Sequence, residues 1–227
     1  MPFSRVEFFD VFSRYNEAVW PTQLALAMIG LAALIFAAVS TPRASLAAGL
    51  ALAALWFWMG LVYHFRFFTT INPAARIFGV GFVIQGALIT VYAAGGQRMQ
   101  FRAYRDAGTV AAGVIIAYAL IAYPLIGHLS GHRYPAIPTF GVPCPTTIFT
   151  LGVFLLVTPR LPRILLVVPT LWAAIATTAA ISLDVREDLG LPIAAVTVIG
   201  LSVARAYTPT RGRHMPLLRR GESPARP

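Results

Sequence analysis

Long apolar runs separated by short polar breaks dominate the sequence. A helix of about 20 apolar residues crosses the roughly 30 Å hydrocarbon core of a bilayer, and seven runs approach or reach that length. They cover residues 20–39, 45–64, 72–94, 107–127, 144–159, 163–182 and 189–206. We therefore predict an all-α fold, an integral membrane bundle of about seven transmembrane helices.

The fifth run differs from the others because it is too short to cross a bilayer alone. It follows a Pro-rich stretch that reads GHRYPAIPTFGVPCPTTIFTLG, residues 131–152. Backbone without helical hydrogen bonds is tolerated at membrane depth only when it is buried in protein or lines a wet cavity. We predict that this Pro-rich outer segment is ordered and lies partly within the membrane, before helix five.

The two ends of the chain are predicted to lie outside the transmembrane domain of residues 20–206. Residues 1–19 have the charged and aromatic composition of an interfacial helix rather than a signal peptide, with the capping-box spacing at Ser4 and Glu7. Its apolar face is formed by Phe8, Val11, Phe12 and Tyr15. Residues 207–227 have no apolar face, and we expect a disordered, Arg-rich cytoplasmic tail attracted to anionic lipids.

The charge distribution predicts the orientation. All 18 basic residues are arginine, and the net charge is +10. A seven-span chain places six arginines on the side of the N-terminus and twelve on the other side. Because the cytoplasmic side collects arginine, we predict a bacterial inner-membrane protein with its N-terminus outside and its C-terminus in the cytoplasm.

Composition also excludes some chemistry. The absence of lysine excludes Schiff-base chemistry, including a retinal linkage. The single cysteine, Cys144, excludes an intramolecular disulfide. The expected partners are the lipid bilayer, anionic lipids at the tail and other membrane proteins, and no nucleic acid.

Most chemically distinctive side chains are predicted at the outer ends of the helices. Such polar groups are costly at membrane depth and are often functional or paired, although ordinary interfacial anchors occupy the same positions. Deeper in the bundle, Gln85 is expected to make a hydrogen bond between helices. The candidate binding residues are Glu17, His64, Asn72, Arg76, His132, Arg133, Cys144, Asp184, Glu187 and Asp188.

A divalent metal is the candidate cofactor, because imidazole, thiolate and carboxylate groups bind such ions. The candidate ligands are His64, His128, His132 and Cys144, with Glu17 or an acid of the loop at 184–188. Cys144 is predicted at the start of helix five, where a helix dipole favours a thiolate. The alternative is that its thiol simply fills a tight, apolar corner.

Four stretches together resemble an uncharacterised family of bacterial multipass membrane proteins, a domain of unknown function. They are NEAVWP, WFWMGLVYHFRFFTTINPAARIFGVGFVIQG, HRYPAIPTFGVPCPTTIFTLG and DVREDLGL. The resemblance implies a membrane protein but no activity.

Three functional hypotheses remain open at this point. The first is a polar site for an ion, a metal or a small solute on the periplasmic face. The second is a non-catalytic accessory or assembly subunit of a larger membrane complex. The third is a membrane-embedded enzyme that uses His64 or His132 with a loop carboxylate, which is the weakest because no residue spacing indicates a reaction class.

Overall fold

The computed structural model describes residues 2–95 and 99–207. Apart from Tyr207, the predicted C-terminal tail lies outside the described residues. Within the described ranges the chain forms nine α-helices and one two-stranded ribbon. The helices are α1 (Arg5–Val19), α2 (Thr22–Val39), α3 (Pro42–Trp58), α4 (Ala75–Ala94), α5 (Ala107–Ala117), α6 (Tyr123–Leu129), α7 (Pro143–Phe154), α8 (Val167–Leu183) and α9 (Gly190–Tyr207).

Six helical segments in the described ranges are long and apolar enough to cross a membrane. They are Thr22–Val39, Pro42–Thr70, Ala75–Ala94, Ala107–Leu129, Arg163–Leu183 and Arg186–Arg205. Their outward faces remain apolar and exposed, as at Leu31, Val110 and Ile193. A bundle with an apolar outer surface suits a lipid solvent, so the predicted all-α membrane bundle is confirmed.

The predicted fifth span is the short helix α7, and it lies at the centre of the bundle. Its twelve residues are all buried, which is typical of a helix that is apolar all round. It packs against α5, α8 and α9, and Trp56 of α3 donates a hydrogen bond to its Thr150. At about 18 Å, α7 is too short to cross a bilayer alone, and the other helices shield it from lipid.

Local sequence signals explain where the long helices begin and where they are irregular. Thr41 and Asp106 cap α3 and α5 by accepting hydrogen bonds from Ala44 N and Thr109 N. The helix that contains α5 and α6 widens to a π-helix at Tyr118–Ala122, just before Pro124. Proline has no N–H to continue the regular bonding and crowds the preceding turn, which accounts for this irregularity.

A second π-helix, Met59–Phe67, extends α3.

The bundle has two distinct ends. At one end, which we call the α1 end, α1 meets the C-terminal part of the α3 segment, the segment 130–142 and the loop 184–189. At the other end, which we call the ribbon end, Gln100–Phe101 pairs in antiparallel fashion with Val157–Thr158. The ribbon was not predicted, because two-residue strands carry no readable periodicity.

Helix α1 begins with the predicted capping box and covers the α1 end. Ser4 N donates to Glu7 Oε2 at 2.8 Å, and Glu7 N donates to Ser4 Oγ at 3.3 Å. The predicted apolar face packs into a second core that includes Tyr63, Phe68 and Val142. Helix α1 therefore forms a lid on the bundle and buries one side of its own surface.

Candidate functional site

A sharp turn between α8 and α9 brings two acidic side chains into the protein. Asp184 ends α8 in the left-handed conformation, at φ 52°, which aspartate tolerates better than most residues. A short 3₁₀-helix, Arg186–Leu189, follows. Within it, Glu187 is fully buried and Asp188 is 3% exposed, so neither carboxyl group faces solvent. Their position before the N-terminus of α9 is electrostatically favourable for negative charge.

Glu187 is paired with His132 of the Pro-rich segment. The distance between Glu187 Oε1 and His132 Nδ1 is 2.7 Å, and both side chains are buried. The approach depends on Gly127 in α6, because a Cβ at that position would lie 2.9 Å from Glu187 Oε1. Tyr118 donates a hydrogen bond to the Glu187 backbone carbonyl at 2.8 Å. The pair is thus fixed by α6, the π-helix before it and the Pro-rich segment.

Asp188 forms the centre of a neighbouring set of contacts. Tyr123 OH donates to Asp188 Oδ1 at 2.6 Å, and the Cys144 thiol lies beside the same carboxyl group. Cys144 is the second residue of α7, whose N-cap is Val142, so it lies inside the first turn instead of at the cap. Its neighbour is a carboxyl group, which does not favour a thiolate.

The polar contacts around the two acids are incomplete. Glu187 Oε2 and His132 Nε2 are buried and have no hydrogen-bond partner among the described residues. None of the ion pairs in the described part of the chain joins Glu187 or Asp188 to an arginine. A buried carboxylate without an arginine partner is costly, so Asp188 depends on the Tyr123 hydroxyl and the Cys144 thiol beside it.

A cavity of about 110 Å³ opens beside Asp188, between the N-terminal residues, α8 and the end of the α3 segment. Its polar lining is formed by Asp188, Cys144 and Asn72, with Thr178 at its edge. Its apolar lining is mostly aromatic and consists of Phe3, Phe8, Phe68, Phe78 and Trp172, with Ile175, Ala176 and Ala179. A carboxyl group and the faces of aromatic rings both attract cations.

His64 lies next to this cavity but does not line it. The side chain is fully buried among aromatic rings, and its ring centroid is 4.6 Å from that of Phe82 and 5.2 Å from that of Trp172. Neither ring nitrogen has a hydrogen-bond partner among the described residues. His64 therefore packs against Trp172, which is part of the aromatic wall of the cavity.

Asn16 fixes the Pro-rich segment to α1. Its Nδ2 donates to the carbonyl oxygens of Pro135 and Ile137, the latter at 2.8 Å. Its Oδ1 accepts hydrogen bonds from Gln23 and from Thr139. Asn16 is completely buried, so one amide side chain satisfies two backbone carbonyls of this non-helical segment. The segment is only partly buried, since Gly131, Arg133 and Tyr134 are exposed, and Asn16 supplies internal partners where the segment packs against α1.

The remaining candidate residues do not join the cluster. Glu17 and Arg76 are exposed. Arg133 is exposed and contacts His128, which is also exposed. Asp184 is exposed and pairs with Arg186 at 3.2 Å and with Arg5 at 3.9 Å. Asn72 accepts a hydrogen bond from Ala74 N at the start of α4 while also lining the cavity.

The proposed metal ligands are likewise not gathered into one site. No group of three or more histidine, cysteine or acidic side chains suitable for a metal ion occurs within residues 2–95 and 99–207. His132 pairs with Glu187, Cys144 lies beside Asp188, His64 is enclosed by rings, and His128 contacts Arg133. The geometry of these residues favours hydrogen bonding and ion pairing over coordination of a divalent metal.

Several residues of the cluster were missed by the sequence analysis. Tyr118, Tyr123 and Trp172 lie within apolar runs, where they look like ordinary core residues. For Tyr118 and Tyr123 a detectable signal existed, because the hydroxyl of a buried Tyr usually has a hydrogen-bond partner. Gln85 was predicted correctly, since its Nε2 donates to Leu165 O at 2.9 Å.

The fold and the cluster define an all-α multipass membrane protein with buried polar groups at one end of its bundle. A family model described as "Family of unknown function (DUF6064)" matches residues 5–213, and the chain belongs to this family. The resemblance found in the sequence is thereby confirmed. No curated protein matches the chain. No solved structure matches it either.

Proposed function

We propose that the protein binds a small ammonium-type cation in the cavity beside Asp188, on the periplasmic face of a bacterial inner membrane. The observation that carries the proposal is the Asp188 carboxyl group in an aromatic-lined cavity, where it has no arginine partner among the described residues. A carboxylate supplies the charge that attracts a cation, and the faces of aromatic rings add to that attraction.

The size and chemistry of the cavity limit the ligand. A volume of about 110 Å³ is below the roughly 150 Å³ of an engineered cavity that holds benzene, so the cation has only a few heavy atoms. The α1 end is near neutral, because six acids and six arginines lie there, whereas the other end carries an excess of arginine. A cation therefore meets less repulsion at the α1 end.

Calorimetric titration of the purified full-length protein in mild detergent tests this proposal, with methylammonium chloride as the probe. We expect saturable binding, while sodium chloride at the same ionic strength gives a much smaller effect. Asp188→Asn keeps an acceptor for Tyr123 OH but removes the charge, and should weaken methylammonium binding by roughly 10- to 100-fold, the range for a hydrogen bond to a charged group.

Two further variants make the test specific. Asp184→Asn removes an exposed acid from the same loop and should leave methylammonium binding unchanged. Trp172→Leu removes one aromatic wall and should weaken methylammonium binding more than it weakens any binding of sodium. Absence of saturable methylammonium binding to the wild type, or equal binding by Asp188→Asn, contradicts the proposal.

A further inference from the structure

A second cavity lies at the ribbon end, on the opposite side of the bundle from the cation site. It has a volume of about 430 Å³ and is formed by α9, the start of the α8 segment and the turn that follows α7. Three arginines line it, Arg160, Arg163 and Arg205. No acidic residue within residues 2–95 and 99–207 lines it, so its lining is positively charged.

The three arginines differ in how firmly they are held. Arg205 is fixed, because it donates to Leu155 O at 2.8 Å and pairs with Asp106 at 3.2 Å. Arg160 and Arg163 are exposed, and neither forms an ion pair with a carboxylate among the described residues. Two guanidinium groups with unused donors, beside a fixed third one, suit a phosphate group that accepts several hydrogen bonds.

The basic cavity continues into an apolar groove. A neighbouring cavity of about 300 Å³ shares Arg163, Leu166 and Ile199 with it and extends along α8 past Val167 and Leu171. Leu171 is 60% exposed and lies in a segment that is long and apolar enough to cross the membrane. The combined site thus has a cationic part at the ribbon end and an apolar part on the lipid-facing side.

We propose that this site binds one anionic phospholipid, with the phosphate of its headgroup at Arg160 and Arg163 and an acyl chain in the groove along α8. Basic pockets between transmembrane helices bind anionic headgroups in this way. The chain's own residues 208–227 are a poor alternative occupant, because they contain five arginines and one glutamate and would be repelled by the cavity. The proposal is independent of the cation site, since the two share no residue.

Native mass spectrometry of the full-length protein in detergent tests the site, with phosphatidylglycerol and phosphatidylcholine as separate probes. We expect one phosphatidylglycerol to bind in preference to phosphatidylcholine. The double variant Arg160→Gln/Arg163→Gln should weaken phosphatidylglycerol binding by roughly 30-fold, as expected for two arginines near an anionic headgroup. Soluble glycerophosphoglycerol, which has no acyl chains, should bind much more weakly to the wild type.

The matched control is Arg43→Gln/Arg105→Gln, which removes the same charge at the same end of the bundle but outside the cavity. This control should retain phosphatidylglycerol binding. Equal losses in both double variants would overturn the proposal, because attraction would then be diffuse. A third variant changes all five arginines of 208–227 to glutamine in the full-length chain. The proposal fails if this variant loses phosphatidylglycerol binding while Arg160→Gln/Arg163→Gln keeps it. It also fails if glycerophosphoglycerol binds to the wild type as tightly as the lipid does. Thermal unfolding without lipid verifies that each variant is folded.

Discussion

The two ends of the bundle use polar residues in opposite ways. At the α1 end, Glu187 and His132 are 0% and 7% exposed, and each depends on a partner from a distant part of the chain. At the ribbon end, the side chain of Arg205 is 38% exposed and that of its partner Asp106 is 28% exposed. Solvent reaches the ribbon-end pair, whereas Glu187 and Asp188 of the α1 end are buried.

This difference has energetic consequences. A desolvated polar group costs free energy unless it has a partner, so each buried polar contact at the α1 end matters for folding. An exposed ion pair contributes little, because water competes with it. Removing one of the exposed arginines Arg160 or Arg163 should therefore barely affect the fold.

The largest expected effect separates the two ends most clearly. Glu187→Ala leaves the buried His132 without its partner, and we expect a loss of about 3 to 5 kcal/mol in the free energy of unfolding, as for a broken buried pair. The measurement is unfolding in mixed detergent micelles, followed by circular dichroism. Glu187→Gln keeps an acceptor for His132 and should cost much less. Similar losses in the two variants would show that packing, not the polar contact, dominates at this position.

Asn16 provides the second test, because it fixes irregular backbone at the α1 end. Asn16→Ala removes the hydrogen bonds to Pro135 O and Ile137 O and should cost about 2 to 4 kcal/mol, since several buried groups lose a partner. We expect trypsin to cleave faster after the exposed Arg133 in this variant. Ser13→Ala, a control in the same helix that loses one local bond to Phe9 O, should leave the cleavage rate unchanged.

Asp106 is the corresponding test at the ribbon end. Asp106→Ala removes the cap of α5 and the pair with Arg205, and should lower the free energy of unfolding by about 1 to 2 kcal/mol, mainly through the cap. Asp106→Asn keeps a capping acceptor and should be closer to the wild type. If Asp106→Ala lowered the free energy of unfolding as much as Glu187→Ala does in the same micelles, the proposed energetic difference between the two ends would be wrong.

The smallest effect concerns an exposed acid of α1. Hydrogen bonds from the Ser4 backbone and hydroxyl lower the pKa of Glu7 below its ordinary value. A lowered pKa means that the stabilisation is present above the unfolded-state pKa and is lost as the pH falls through the folded-state pKa. In the wild type, a small loss of helicity should therefore accompany acidification. Glu7→Gln should make this loss smaller, as measured by circular dichroism between neutral and acidic pH. An unchanged pH profile would show that the capping box does not contribute.

Short-range sequence patterns predicted much of the fold. The capping box at Ser4, the apolar face of α1 and the six long apolar helices all follow from residues close together in the chain. The interhelical hydrogen bond of Gln85 also followed, because an amide at membrane depth needs a partner. These features depend on local periodicity and on the cost of burying polar groups, which are both readable from sequence.

The candidate site was only partly predictable. The sequence indicated that Glu187, Asp188, His132 and Cys144 belong to one end of the bundle, but it also included the exposed Glu17, Arg76 and Asp184. The pairing of His132 with Glu187 spans 55 residues and depends on the space left by Gly127. The arginine cavity was missed, because arginines at helix ends normally serve as interfacial anchors and nothing local indicates that three of them share a cavity.

By itself, the sequence determined that this protein is an all-α membrane bundle with its acids gathered at one end. The apolar runs define the helices, and the order of the runs along the chain assigns each acidic residue to an end of the bundle. Only the tertiary structure decided that α7 is an enclosed central helix, that Asn16 holds the Pro-rich segment, and that Asp188 faces an aromatic cavity. The physical reason is that desolvation depends on which elements pack together. Whether an acid is a surface anchor like Asp184 or a buried group like Asp188, four residues later, is fixed by packing and not by composition.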